Sequence, residues 1–299
     1  MSSRRDFIKQ TGFAFSLASL GLSGFDFSKA NTYKMGLQLF TIRQPMAEDP
    51  KKTLQAVAGF GYQDTEIYGY DGPANRFYGM PAADFKKVLE DNSLTSTSGH
   101  YDFIKYFNGS NDELMRYTDQ CILGAHALGQ KYITWPWLDP ESRSIEKFKL
   151  LTDKLNAIGE RVSQANLGFA YHNHDFEFID HNGENGYDII MQNTDPDLVK
   201  LQIDLYWVAH SSSLSAHDLF LKAPGRFVMW HIKDMHKVSR DYTEMGNGSI
   251  DYTKILPDAS LSGMEYYYIE QGGNFAQNPL QSVKDSAEYF KKNLIDLFA

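Results

Sequence analysis

The chain is short of cysteine, of cations and of long apolar runs, and each shortage closes off a class of protein. A single thiol, Cys121, stands among 299 residues, so no intrachain disulfide forms. Its neighbours QCILGAHAL read as a buried helix face on which Cys acts as a small hydrophobe, saying little about redox compartment. Lys and Arg number 29 against 38 Asp and Glu, for a net charge of −9. Such a chain has no general affinity for phosphate backbones, and nucleic acid is not an expected partner. The apolar stretch at residues 11–24 is too short and too rich in Gly and Ser for a stable membrane span, which needs about 20 residues. No shift of composition marks a second domain.

Two things are abundant instead: aromatics, with 18 Tyr, 20 Phe and 4 Trp, and alternation. Residues 3–9 read SRRDFIK, which fits the S-R-R-x-F-[LIK]-K pattern of a twin-arginine signal. Residues 1–30 are expected to be an export signal, with SKA (28–30) a candidate cleavage site, and residues 31–299 the exported, periplasmic protein. That route carries folded proteins, which suits an enzyme loaded with metal before export. Beyond residue 30 come eight strand-like runs: KMGLQLFTIR (34–43), YQDTEIYG (62–69), LTSTSGHYD (94–102), KYITWPWL (131–138), LGFAYHNHDF (167–176), VKLQIDLYWVA (199–209), RFVMWHIKDM (226–235) and EYYYIEQGG (265–273). Helix-like segments fill every gap, those at 111–128 and 144–166 being long and amphipathic. Strict alternation of this number of units predicts an α/β fold, a single-domain (β/α)8 TIM barrel.

Four of these runs carry metal-ligand chemistry near their ends: His172, Asp204, His231 and Glu270. Residues two apart in a strand share a face, so His172 goes with His174, Gln202 with Asp204, His231 with Lys233 and Tyr268 with Glu270. Polar residues buried without partners are costly, and a shared ligand removes that cost. Imidazoles mixed with carboxylates suit one divalent ion such as Mn, Zn, Fe or Co at the C-terminal mouth of the barrel. Lys233 is placed to stabilise an enolate or bind a substrate oxygen. Trp135 and Trp137 close the fourth run and Trp207 the sixth, where they could floor a sugar pocket or pack in the core. Gln38 on the first run is a weaker candidate. The turn Gly246–Gly248 offers backbone N–H groups to a phosphate or simply starts a helix.

With these residues in place, the chain resembles the xylose isomerase-like TIM-barrel superfamily of sugar phosphate isomerases and epimerases, over about residues 34–295. Asp204 in QIDLYW is similar to that family's strand-six aspartate, His231 in HIKD to its strand-seven histidine, and Glu270 in YIEQGG to its strand-eight glutamate. MGNGSIDYTKIL (245–256) is similar to its glycine-rich turn. The resemblance implies sugar-hydroxyl contacts or proton transfer at Glu66 and His100. It departs at strand five, where His172 occupies the place of the expected glutamate. Either His172 is a ligand, or His174 or Glu177 reaches the metal instead, or the site is weakened. The resemblance implies a metal-dependent isomerase or epimerase that removes a proton beside a carbohydrate carbonyl, with Glu270, His172, His174 or His100 as base. The alternatives are a lyase or dehydratase acting on a keto-sugar or 3-keto-glycoside through the same enolate, and a non-catalytic sugar-binding barrel. An unphosphorylated small carbohydrate is the expected partner, and an oligomer is compatible with the sequence.

Overall fold

The computed structural model describes residues 33–298. The reading of residues 1–30 as an export signal falls outside them. Eight parallel strands close into a barrel: β1 Gly36–Gln38, β2 Asp64–Ile67, β3 Thr95–His100, β4 Tyr132–Trp135, β5 Gly168–His172, β6 Lys200–Asp204, β7 Met229–Ile232 and β8 Tyr266–Ile269. Each strand pairs with its neighbours in sequence, and β1 pairs with β8 to seal the ring. This is the (β/α)8 barrel that the alternation predicts.

Helices lie between the strands and are delimited by local chemistry. Helix Asn111–Leu128 starts at a reciprocal capping box of Ser110 and Glu113 and stops at Gly129, whose left-handed φ of 73° few other residues adopt. Helix Pro50–Gly59 is capped by Asp49, with the proline in its first turn, and helix Pro279–Asn293 is capped by Asn278 in the same way.

All eight strands are shorter than the runs that predict them, and two of those runs turn directly into helical turns. The first run gives way after Gln38 to a 3-10 turn, Leu39–Ile42, because the Gln38 side chain accepts the Phe40 N–H. In the sixth run, Asp204 accepts the N–H groups of Tyr206 and Trp207 and starts a helix, Leu205–Ser211. Side-chain caps thus override apolar periodicity. Two small sheets at the mouth have no counterpart in the sequence reading: a three-stranded one (Tyr70–Asp71, Arg76–Phe77, Met80–Pro81) and a hairpin pairing Asp234–Met235 with Tyr242–Thr243. Strands of two residues leave no periodicity to detect.

The barrel interior is layered. Its lower layer is apolar, with Tyr132, Ala170, Met229 and Tyr268 packed together. The backbone at Gly36 admits the Tyr268 ring, since a Cβ there would lie 2.7 Å from it and 2.3 Å from the Tyr267 carbonyl. Above this the interior turns polar. Between β2 and β3 the register jumps, Thr65 facing Ser96 but Glu66 facing Ser98, so that Thr97 is an extra residue. Because of that bulge two consecutive side chains reach inward: Thr97 to the Tyr268 hydroxyl at 2.6 Å and Ser98 to Glu66 at 2.6 Å.

Candidate active site

The polar layer is organised by Glu66. Its carboxylate is fully buried and accepts from Gln38 Nε2 at 2.7 Å, Ser98 Oγ at 2.6 Å, Gln202 Nε2 at 2.7 Å and His231 Nε2 at 2.6 Å. His100 Nε2 lies 3.1 Å from it and 2.7 Å from Gln202 Oε1, two acceptors that fix this nitrogen as the protonated one. Burial pushes Glu66 up, but the imidazoles of His100 and His231 outweigh it and hold the carboxyl well below its usual range. Glu66 therefore stays ionised beneath the mouth with its acceptor capacity taken. Gln38 likewise lies in the floor, not in the cleft.

His231 stands between two carboxylates, with Nδ1 2.6 Å from Glu270 Oε2 and Nε2 2.6 Å from Glu66 Oε2. Both nitrogens face acceptors, so both carry protons. Burial opposes the charge, yet Glu66 and Glu270 raise the ring to about 9. Lys233 Nζ lies 2.7 Å from both Asp204 Oδ2 and Glu270 Oε2. Against burial, these two carboxylates hold the ammonium above its ordinary value. Glu270 is 7% exposed, and Lys233 and His231 offset its burial and keep it far down the carboxylate range. Asp204 differs. Burial dominates and raises it, while Oδ1 is spent on the helix cap and Oδ2 on the ion pair with Lys233.

The strand-five histidines remain neutral. Burial first, then the neighbouring cations, depress both His172 and His174, and Nδ1 of each lacks a hydrogen-bond partner. Their rings meet edge to face at 4.9 Å, and His172 Nε2 is 3.6 Å from Asp204 Oδ2. Glu177 faces elsewhere. It accepts from the Tyr171 hydroxyl at 2.7 Å and the His174 N–H at 2.8 Å, and burial pushes it up to about 8. Of the residues that could replace a strand-five glutamate, Glu177 is thus turned into the wall, and His172 stands beside Asp204.

Two overlapping groups bring ligand atoms within 4.8 Å of one another: Asp204, His231 and Glu270, and His100, His172 and His231. The donor set fits a divalent ion. Three buried carboxylates, Glu66, Asp204 and Glu270, face only two firmly charged cations, His231 and Lys233, leaving a surplus of negative charge that a divalent ion would offset.

Above this floor opens a cleft of about 870 Å³, reached by His100, His172, His174, Lys233 and Glu270. The two tryptophans of β4 part company. Trp135 is fully buried, stacked on Phe103 at 5.3 Å with its indole N–H given to the Trp137 carbonyl, so it packs the core and does not floor a pocket. Trp137 is the one at the cleft. Trp207 lies behind His174, 5.9 Å from its ring, outside the cleft lining. Phe40, Tyr68 and Tyr242 also line the cleft, and the sequence reading did not single them out. The glycine-rich turn is filled from within. Asp234 accepts the N–H groups of Gly246, Gly248 and Ile250, and a Cβ on Gly248 would fall 2.0 Å from its carboxylate. The groups that would cradle a phosphate are satisfied by the protein's own anion.

No family model matches the chain. A sugar phosphate isomerase/epimerase from Parabacteroides distasonis superposes with a TM-score of 0.77, at 25% identity over 90% of this chain and 96% of that one. A xylose isomerase-like TIM barrel protein from Mycobacterium smegmatis, in complex with magnesium, superposes at 0.65 with 15% identity over 90% of this chain and 98% of its own. The IolI protein, whose structure binds a zinc atom, superposes at 0.67 with 17% identity over 89% of this chain and 98% of its own. Among curated proteins, an inosose dehydratase from Clostridium perfringens is 28% identical over 167 residues, 49% of this chain. The chain spans about half the length of the curated relatives it matches, 55%. No helix among the described residues is long and apolar enough to cross a membrane.

Proposed function

We propose that the protein is a carbohydrate-modifying enzyme that removes a proton beside a carbonyl and expels a group from the β carbon, as a lyase or dehydratase. The observation that carries this reading is the neutral imidazole pair at the end of β5, where a two-sided epimerase would need a second carboxylate. A divalent ion held by His172, Asp204, Glu270 and His231, the last giving up a ring proton to bind it, would supply Lewis-acid polarisation of the carbonyl. Glu270 is poorly placed as the base, because its Oε2 is already tied to Lys233 at 2.7 Å and to His231 at 2.6 Å. His174 suits the role better by position: it is neutral, its ring lines the cleft, and it is not held in a charge pair. His174 takes the α proton, and the C–H electrons move into the carbonyl to form the enolate. The enolate then re-forms the carbonyl, a C=C bond forms, the β C–O bond breaks, and the imidazolium gives its proton to the departing oxygen. Lys233 holds positive charge beside the developing oxyanion.

The second reading is isomerisation, with the same base returning its proton to the neighbouring carbon. The likeness to the Parabacteroides isomerase/epimerase favours it. Keto-sugars and 3-keto-glycosides incubated with metal-loaded protein in D2O separate the two by NMR, elimination releasing the leaving group and isomerisation placing deuterium on carbon. No turnover on any of them, with no metal retained, would instead leave a sugar-binding barrel. The same reading includes export. Residues 1–30 fused to a folded reporter should carry it to the periplasm, and Arg4→Lys with Arg5→Lys should retain it in the cytoplasm.

A further inference from the structure

The cleft is larger and differently lined than one reacting sugar requires. Its volume, about 870 Å³, is near the top of the roughly 300–1,000 Å³ range of small-molecule sites. Its inner end is polar and buried, its outer end aromatic and open. Phe40 is 41% exposed and Trp137 39% exposed, unlike the buried aromatics of the core. Phe40 stands edge-on to Tyr68 at 5.4 Å, and the Arg43 guanidinium lies 4.5 Å above the Phe40 ring while donating to the Phe40 and Gly272 carbonyls. The Arg143 guanidinium lies 5.2 Å over Trp137 and donates to the Leu138 carbonyl. Both exposed rings are therefore braced from one side and present a surface to the cleft. The rim repels anions: Asp71 and Asp102 line it, and Lys105, the cation of the outer lining, is tied to Asp102 at 2.6 Å. The Gly246–Gly248 turn, whose N–H groups could have met a phosphate, already holds Asp234.

We infer that Phe40, Tyr68 and Trp137 form an outer subsite for a neutral ring, either a second sugar or an aryl group, joined to the reacting sugar through the oxygen that leaves. This rests on the elimination reading, in which the leaving group must lie in the cleft, and it names the substrate class as glycosides. Flat sugar C–H faces and aryl π faces both stack on such rings.

The test is binding by calorimetry with unoxidised ligands, which needs no turnover: methyl and phenyl glycosides of glucose, galactose and xylose, cellobiose, and glucose 6-phosphate. Phenyl glycosides or cellobiose should bind about tenfold tighter than the methyl glycosides, a difference of about 1.4 kcal/mol, and the phosphate no tighter than glucose. Trp137→Ala and Phe40→Ala, with unchanged melting temperatures, should erase that advantage and leave methyl glycoside affinity as it was. An advantage confined to phenyl glycosides identifies an aryl group, and one confined to cellobiose a second sugar. Equal affinities for phenyl, methyl and cellobiosyl ligands, tighter phosphate binding, or no binding of any extended ligand overturns the subsite. Absence of elimination with the stacking preference intact would sink the reaction assigned above and leave the subsite standing.

Discussion

At the scale of single residues, chemistry is divided between groups locked in a charge network and groups left free above it. His231 is the clearest locked group. Its folded pKa of about 9 lies above the roughly 6.5 of a free imidazole, so the stabilisation is complete below pH 6.5 and is lost as pH rises towards 9. The metal-free protein should therefore lose up to about 3 kcal/mol of stability across that interval, measured by urea unfolding; a flat profile would show that His231 is not a paired imidazolium. His174 is the free group. His174→Ala should lower kcat by roughly 10²–10⁴-fold while elemental analysis still finds the metal, whereas His172→Ala should lose both. A His174→Ala enzyme of full activity would move the base elsewhere. The residue types at this floor were legible because polar side chains interrupt apolar runs. What the sequence did not disclose is their division of labour. Glu66 and His231 both end up beneath the cleft, since only the closed ring shows which carboxylate has spent its oxygens on neighbours.

At the scale of elements, the strand-to-loop transitions decide what faces the substrate. Apolar periodicity located every strand, yet it ran past the ends of each, most plainly in the first and sixth runs, where the side chains of Gln38 and Asp204 cap the backbone. It also could not tell Trp135 from Trp137. Two residues apart, they share a face only while the chain is a strand, and β4 ends at Trp135. The turn after β7 offers a sharper test. Asp234→Ala strips the acceptor from the N–H groups of Met235, Gly246, Gly248 and Ile250. It should cost about 3 kcal/mol and lower Tm by roughly 5–10 °C. Inorganic phosphate should restore part of that loss in the variant and do nothing for the parent protein. If phosphate stabilises the parent, the turn is open to anions after all.

At the scale of the whole molecule, the barrel joins an oily lower layer to an ionic upper one, and Glu66 is where the two meet. Glu66→Ala leaves His231 buried between one carboxylate and none, and should destabilise the fold by about 3–5 kcal/mol although the residue does not line the cleft; a thermal scan with Tm unchanged would remove it from that role. The donors that neutralise Glu66 come from β1, β3, β6 and β7, so the acid on the second strand finds one imidazole on the third and the other only on the seventh. During synthesis, the first half of the chain leaves the ribosome with His100 as the one imidazole beside Glu66, and the second, His231, is still to be made. The protein therefore commits to its structure only once its final quarter has been made, and a half-length fragment should stay unfolded until its other half is supplied.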